Sequence, residues 1–194
     1  MKRTEWLAVA LIAVCASWAQ TANKYDIKSG IVTLESVSNI AGTKIKMNRI
    51  VYFDDYGVKE CQETYSNGNL TNVLFCDGKE KIALKIKAKK ALKQGPATGG
   101  IGMRVEISDM GTKKDIESGV VKKTAPMTID GQSCEVIQVT RGASVDLYAG
   151  WHHVMVYLKT GSADVATEIK AVKLQPNAVV PKEKFQVPEG FTVQ

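Results

Sequence analysis

The sequence lacks the residue patterns that hold metals or support nucleophilic catalysis. It has four cysteines, none in a CxxC pair, and its two histidines, His152 and His153, are adjacent to each other and far from every cysteine. Cysteine and histidine ligands of a metal site are usually closely spaced. We place the histidines on a strand, where neighbours point to opposite faces, and no serine or cysteine can be assigned to them as a nucleophile. We therefore predict no catalytic residue, no metal ligand, no cofactor and a non-enzymatic protein.

No apolar run is long enough to span a bilayer, which takes about 20 residues. The run from Leu7 to Cys15 lies behind two basic residues and is followed by small residues at Ser17 and Ala19, two positions apart. This arrangement is typical of a signal peptide over residues 1–19. We predict export to the periplasm or cell envelope, with no transmembrane segment in the mature chain. Lipid attachment at Cys15 is a less favoured alternative, because Val14 stands where such signals carry a smaller residue.

Cysteine is scarce and its count in the mature chain is odd. Cys61, Cys76 and Cys134 remain after residue 19, which leaves one disulfide plus one thiol, or three thiols, open. If Ser66 to Asn69 form a hairpin loop, Cys61 lies diagonally from Cys76 on one face. A one-residue bulge would bring the two thiols opposite each other. Whether they form a disulfide is left open at this stage, as is the oligomeric state.

Acidic residues are fewer than basic ones, and the excess is concentrated in one segment. The chain has a net charge of +6, and seven lysines fall between Lys79 and Lys93. Such a stripe can bind anionic lipid or nucleic acid, but lysines also protect exposed edge strands from aggregation. We favour the second interpretation. Nucleic acid is excluded as a predicted partner, because no aromatic residues alternate with the lysines to stack on bases.

What the chain does have is apolar alternation with a period of two residues. Ile45, Met47, Val51 and Phe53 alternate with polar positions, and the run ends in the turn-forming pair Asp54-Asp55, as expected of a half-buried strand and its turn. We predict strands at Ile27–Val37, Ile45–Phe53, Val58–Tyr65, Leu70–Cys76, Lys79–Ala88, Met103–Ile107, Cys134–Thr140, Ala143–Ala149, Val154–Leu158 and Val165–Leu174. Helical turns are expected within residues 89–94 and 108–119. The pattern predicts a mainly β, antiparallel domain of about nine to eleven strands, with a two-sheet sandwich as the alternative.

Three stretches together resemble a known family: YDIKSGIVTLES near residue 25, YFDDYG at residue 52, and the run from GQSCEVIQV through AGWHHVMVYL to PKEKFQVPEGFTV. The chain is similar to small exported bacterial proteins of uncharacterised function whose fold is placed with the LolA/LolB-like lipoprotein carriers. The resemblance implies a curved antiparallel sheet that forms an incomplete barrel with a few short helices. It also implies one LolA-like β domain over residues 20–194. In the carriers, the cavity of such a sheet shelters acyl chains.

The resemblance implies a periplasmic binding or carrier protein for a hydrophobic ligand such as a lipid or acyl chain. The alternative is a structural or interaction module of the cell envelope with a protein partner. If a ligand binds, we expect alternate residues of the first long strand and the later meander to line its site. The predicted ligand-binding residues are Val51, Phe53, Trp151, Val154, Val156 and Leu158. The competing interpretation is that these six side chains fill a dry core.

Overall fold

The computed structural model describes residues 23–162 and 165–194. The predicted signal peptide, its cleavage site and Cys15 lie outside the described residues. No helix in the described part of the chain is long and apolar enough to cross a membrane.

The described residues form one sheet of twelve strands. The strands are β1 Gly30–Ile40, β2 Thr43–Asp54, β3 Lys59–Ser66, β4 Asn69–Cys76, β5 Glu80–Lys85, β6 Lys90–Pro96, β7 Val121–Ile129, β8 Gln132–Arg141, β9 Ser144–Trp151, β10 Val154–Gly161, β11 Val165–Pro176 and β12 Thr192–Val193. Two short helices, α1 Ile107–Met110 and α2 Lys113–Glu117, lie between β6 and β7. Short 3-10 turns occupy Asp55–Gly57 and Lys182–Phe185.

The spatial order of the strands is β12-β6-β5-β4-β3-β2-β1-β11-β10-β9-β8-β7. Every neighbouring pair is antiparallel except β12 and β6. The sheet curves, so that Asp130 in the β7–β8 turn accepts a hydrogen bond from the Leu174 amide of β11, at 2.8 Å. It does not close, because β7 and β12 remain at its two edges. The predicted fold class, a curved and incompletely closed antiparallel sheet with few helices, is confirmed.

Side chains on the two faces of the sheet build three separate cores. The inner face is defined here by Val51 and Phe53, and the outer face by Tyr52 between them. The inner core collects buried residues of the curved half, from β2 through β1 to β7, together with Tyr25 and Ile27 of the incoming chain. Tyr25 meets Phe53 edge to face, with ring centroids 5.1 Å apart. Aromatic pairs in this geometry add to the gain from burial alone.

The other two cores are on the outer face, and each is covered by a segment outside the central strands. Residues 177–194, called the C-terminal strap here, cross β3 to β6 and place Phe185 against Cys61, Phe75 and Ile82. We call this the strap core. At the far side of the sheet, Val105 and the helices α1 and α2 pack on Ile137, Val139 and Tyr148.

Several predicted elements are wrong. Of residues 89–94, expected as a helical turn, positions 90–94 belong to β6, and Met103–Ile107 makes only an isolated bridge between Arg104 and Val154. No strand was predicted at Val121–Ile129, which is β7. His152 and His153 are not on a strand: they form the two-residue β9–β10 turn, with φ of 49° and 67°. Positive φ at both positions is what a tight hairpin turn of this kind requires.

Candidate functional site

An open cleft lies between two hairpin tips at one end of the sheet. The β3–β4 turn is made by Asn67 and Gly68, both with positive φ, which confirms the predicted hairpin. The β5–β6 turn is closed by hydrogen bonds from the Ala88 and Lys89 amides to Lys85 and Ile86 carbonyls, each 3.2 Å long. Between the two tips lies a cleft of about 990 Å³, lined by Ser66, Asn67, Asn69, Leu70, Thr71, Lys85, Ile86, Lys87 and Ala88.

The floor of this cleft is apolar. Leu70 and Ile86 are partly buried and pack against the strap core, so the cleft is an outward extension of that core. Leu70 also pairs across β3–β4 with Tyr65. Partly exposed aliphatic side chains at the end of a core are the surface that an acyl chain can cover with a gain in free energy.

The rim of the cleft is cationic. Lys85 and Lys87 are exposed, and neither forms a salt bridge within residues 23–162 and 165–194. Lys184 of the strap, in contrast, is neutralised: its Nζ donates to Glu63 Oε1 at 2.5 Å and lies 4.5 Å from the Tyr52 ring centroid. Among the residues that line the cleft, only Lys85 and Lys87 carry a charge.

The Glu63 carboxylate is the centre of a polar cluster on the outer face of β3. Glu63 is 7% exposed and accepts hydrogen bonds from Tyr65 Oη at 2.9 Å and Tyr52 Oη at 3.2 Å, besides Lys184. Burial, and then the bond to Glu63, raises the pKa of Tyr65 to about 12. Burial alone lowers the pKa of Lys184, but the bond and charge of Glu63 outweigh it and leave that pKa raised. Tyr65 and Lys184 therefore stay protonated at neutral pH, and the cluster anchors the strap to β3.

A second buried carboxylate, Glu60, is on the inner face of the same strand. It is 1% exposed and accepts from Tyr25 Oη at 2.5 Å, Lys24 Nζ at 2.7 Å and the Ile101 amide at 2.5 Å. A Cβ on Gly100 would lie 2.1 Å from Glu60 Oε2, so only glycine allows this close approach of the loop. Both carboxylate oxygens are occupied by protein donors. The arrangement fastens the incoming chain and the glycine-rich loop and leaves no room for a substrate.

The six predicted ligand-binding residues do come together. Val51, Phe53, Trp151, Val154 and Val156 belong to the inner core and are at most 8% exposed. Leu158 is partly buried and packs against both the inner core and the helix-covered core, because a β-bulge between Met155 and Tyr157 interrupts the alternation of β10. Trp151 Nε1 is buried with no hydrogen-bond partner among the described residues. That these six contact a ligand stays a prediction.

The two histidines and the paired aspartates form turns and make hydrogen bonds that stabilise the fold. The His152 carbonyl accepts from the Asp26 amide at 3.2 Å, and the His153 carbonyl from the Val105 amide at 2.8 Å. The turn thus holds two other segments in place. Asp54 Oδ1 accepts from the Asp55 amide at 2.8 Å, as expected of turn-forming aspartates. In the described ranges no three His, Cys, Asp or Glu side chains cluster as a metal site would require.

The structure decides the cysteine question left open by the sequence. Cys61 pairs across β3–β4 with Phe75, and Cys76 pairs with Glu60, so the two cysteines project from opposite faces of the sheet. The expectation that a one-residue bulge would align the thiols is wrong: the hairpin contains such a bulge, between Thr64 and Tyr65, but it places Phe75 opposite Cys61. Cys61, Cys76 and Cys134 are buried free thiols. Burial raises the pKa of Cys61 to about 12, which makes it unreactive as a nucleophile.

Comparison with known proteins supports the fold and does not extend to function. No family model and no curated protein matches the chain. An uncharacterized conserved protein from Thermus thermophilus is similar over 86% of this chain and 90% of its own, with 8% identity and a TM-score of 0.55. PNGF-II is similar with a TM-score of 0.50 and 8% identity, but its matching part is 31% of that chain against 87% of this one.

A LolA superfamily protein from Nitrosomonas europaea is also similar, over 84% of this chain and 92% of its own, with 8% identity and a TM-score of 0.40. This match is a similarity of structure alone. At this level of similarity it says nothing about the ligand, which has to be inferred from the chain's own residues.

Proposed function

We propose that this chain is an exported, non-enzymatic binding protein for an anionic amphiphile, a molecule with an acyl chain and a carboxylate or phosphate head. The observation that carries the proposal is the cleft between the two hairpin tips, with Leu70 and Ile86 on its floor and Lys85 and Lys87 on its rim. Its volume of about 990 Å³ is at the upper end of the range of small-molecule sites.

The apolar floor would supply most of the affinity. Each methylene group removed from water gains about 0.8 kcal/mol, so a chain that covers Leu70 and Ile86 gains more with each carbon until the floor is covered. Because the cleft is open on one side, the rest of the chain stays in water. We therefore expect reversible binding, which suits a protein that takes up and releases its ligand.

The rim would select for charge. Two lysines with no counter-ion among the described residues favour a negative head group. Because Lys85 and Lys87 are exposed, the attraction is screened by salt over about 8 Å at physiological ionic strength. An amphiphile with an uncharged head should bind more weakly than a fatty acid of equal length.

Titration of the purified protein with a fluorescent fatty acid tests the proposal. Leu70→Ala combined with Ile86→Ala should weaken binding about tenfold, or about 1.4 kcal/mol, as expected for the loss of roughly two buried methylene groups. Lys85→Gln with Lys87→Gln should weaken binding of the acid but leave a fatty alcohol unaffected. Val145→Ala is the matched control, because Val145 is an exposed aliphatic residue on another strand.

Two results would contradict the proposal. One is a parent protein that takes up no amphiphile, and the other is an affinity unchanged by the floor and rim substitutions. If the parent binds no amphiphile but retains a stoichiometric protein from an envelope extract, the interaction-module alternative is correct instead.

A further inference from the structure

The lysines of the β5–β6 hairpin are placed where their mutual repulsion should destabilise the hairpin. Lys85 and Lys90 are direct cross-strand partners, and like charges at opposed positions destabilise a sheet. The turn between them adds Lys87 and Lys89. Lys89 has a positive φ of 47°, in the region that L-residues other than Asn, Asp and His seldom occupy. Four lysines are thus gathered at one tip, which we call the basic tip.

No acidic side chain of the described residues compensates the basic tip. None of its four lysines takes part in a salt bridge there, and all four are exposed. The one ion pair found on this hairpin, between Lys93 and Glu80 at 2.9 Å, is at its opposite end. The tip therefore presents an uncompensated positive charge to solvent.

Protection of an edge strand does not account for this charge. Lys85 is on β5, which pairs with β4 and β6 on either side. At Lys90 and Ala91, β6 is itself paired with β12 of the strap. Lysines that guard an edge are needed where backbone groups are unpaired, and the lysines of the basic tip are beside strands whose ladders are already occupied.

We infer that the basic tip docks on an anionic lipid surface and so presents the cleft to the bilayer. This inference rests on the proposed function, since Lys85 and Lys87 belong both to the tip and to the rim of the cleft. Lysines beside Leu70 and Ile86 form an amphipathic edge, with cations for phosphate head groups and aliphatic groups for the boundary with the acyl chains. Residues 85–90 contain no aromatic side chain, so the base stacking that single-stranded nucleic acid needs is missing from the tip.

Co-sedimentation with lipid vesicles tests the inference. The intact protein should sediment with phosphatidylcholine vesicles that contain phosphatidylglycerol and stay in solution with phosphatidylcholine alone. Each lysine near an anionic surface contributes about a fivefold increase in partitioning. Lys89→Gln with Lys90→Gln, which lie outside the cleft lining, should therefore reduce partitioning by more than tenfold. Added salt should release the parent protein.

The matched control is Lys122→Gln with Lys173→Gln, which removes the same charge from two exposed lysines on β7 and β11. It should change partitioning by less than twofold. If it lowers partitioning as much as the tip variant does, binding follows net charge and the inference is overturned. Tighter binding to a single-stranded oligonucleotide than to the vesicles also overturns it. Release by inorganic phosphate, at an ionic strength at which sodium chloride releases none of the protein, would indicate a free-anion site instead of a lipid surface and would likewise overturn it.

Amphiphile binding in the cleft and docking of the basic tip on a lipid surface can be disproved independently. A fluorescent fatty acid in the absence of vesicles measures the cleft alone, and Lys89→Gln with Lys90→Gln should leave that affinity unchanged. Intact fatty-acid binding without vesicle binding disproves the docking surface only. Vesicle binding without any fatty-acid binding disproves the proposed function only.

Discussion

At the scale of single residues, two buried carboxylates three positions apart hold segments against opposite faces of β3. Glu60 fastens residues 24–25 and 100–102 on the inner face, and Glu63 fastens Lys184 of the strap on the outer face. Buried charges remain ionised at acceptable cost only when partners satisfy them. Both glutamates are in a stretch that looks like an ordinary hydrophilic strand, so nothing in the sequence distinguishes them from solvated side chains.

Replacing Glu60 with glutamine should lower the free energy of unfolding by about 3 kcal/mol, because Lys24 would lose its counter-ion in a largely buried position. Urea denaturation measures the change. Glu80→Gln is the matched control: it removes a glutamate from the exposed pair with Lys93, and exposed pairs contribute at most about 1 kcal/mol. Equal effects of the two substitutions would contradict the role given to Glu60.

Stability should fall at alkaline pH. Burial raises the pKa of Cys61 and of Tyr65 to about 12, and burial followed by the charge of Glu60 holds the pKa of Tyr25 well above its ordinary value. In the unfolded chain the pKa of a cysteine thiol is about 8.5 and that of a tyrosine hydroxyl is about 10. The folded state therefore retains protons that the unfolded state releases, and stability is lost as pH rises through that interval.

Urea unfolding over a pH series measures this loss. The free energy of unfolding should be nearly constant from about pH 7 to 8 and decline above about pH 9. Tyr65→Phe should make the decline shallower above about pH 10. A free energy that remains level up to about pH 11 would show that these groups are not protected in the folded state.

At the scale of elements, the sequence predicts a strand correctly where apolar alternation and turn residues agree. The prediction is wrong where the alternation is broken or the turn residues are unusual. The hairpin at Asn67-Gly68 is confirmed because its turn residues favour positive φ. β7 has Lys122, Lys123 and Pro126 along an edge and a bulge between Thr124 and Met127, so its alternation is broken. The turn at His152 and His153 was not predicted because it lacks the Asn-Gly or Asp-Gly pair by which tight hairpin turns are usually recognised. The two histidine carbonyls of this turn accept hydrogen bonds from the distant residues Asp26 and Val105. A local sequence pattern contains no sign of such contacts.

The role of the C-terminal strap could not be predicted from the sequence. It contributes only the two residues of β12 to the sheet, yet it closes the strap core with Phe185, Val187 and Phe191. Its attachment depends on side-chain packing and on the ion pair between Lys184 and Glu63. Such long-range contacts have no signature in the periodicity of residues 177–194.

Phe185→Ala should loosen the strap before the rest of the sheet, since it leaves a cavity over the strap core and costs about 3 kcal/mol. Cys61 lies in that core and Cys134 in the inner core, so the two thiols report on the two regions. We expect alkylation of Cys61, followed by peptide mass spectrometry, to accelerate while that of Cys134 stays slow. Val179→Ala, at a side chain that is 94% exposed, should change neither rate. Parallel acceleration of both thiols would mean global unfolding.

At the scale of the whole molecule, one continuous sheet carries a buried core on its inner face and a cleft at one end. The curved half encloses the inner core, where the six residues predicted as a ligand site are packed together. The other half ends in the cleft between the β3–β4 and β5–β6 tips. The sequence identified five of these six residues as sharing the inner face, with Leu158 displaced by the bulge in β10, but it did not indicate the cleft. The cleft depends on how two hairpin tips lie beside each other, which no local pattern contains.

Methyl-detected NMR during titration with a long-chain fatty acid tests the central claim most directly, because it reports on both surfaces in one sample. The account predicts saturable shifts of the Leu70 and Ile86 methyl signals, while those of Val51, Val154 and Val156 stay in place. Shifts confined to the three valines would move the binding site to the inner core, and no shift at any of the five would contradict amphiphile binding altogether.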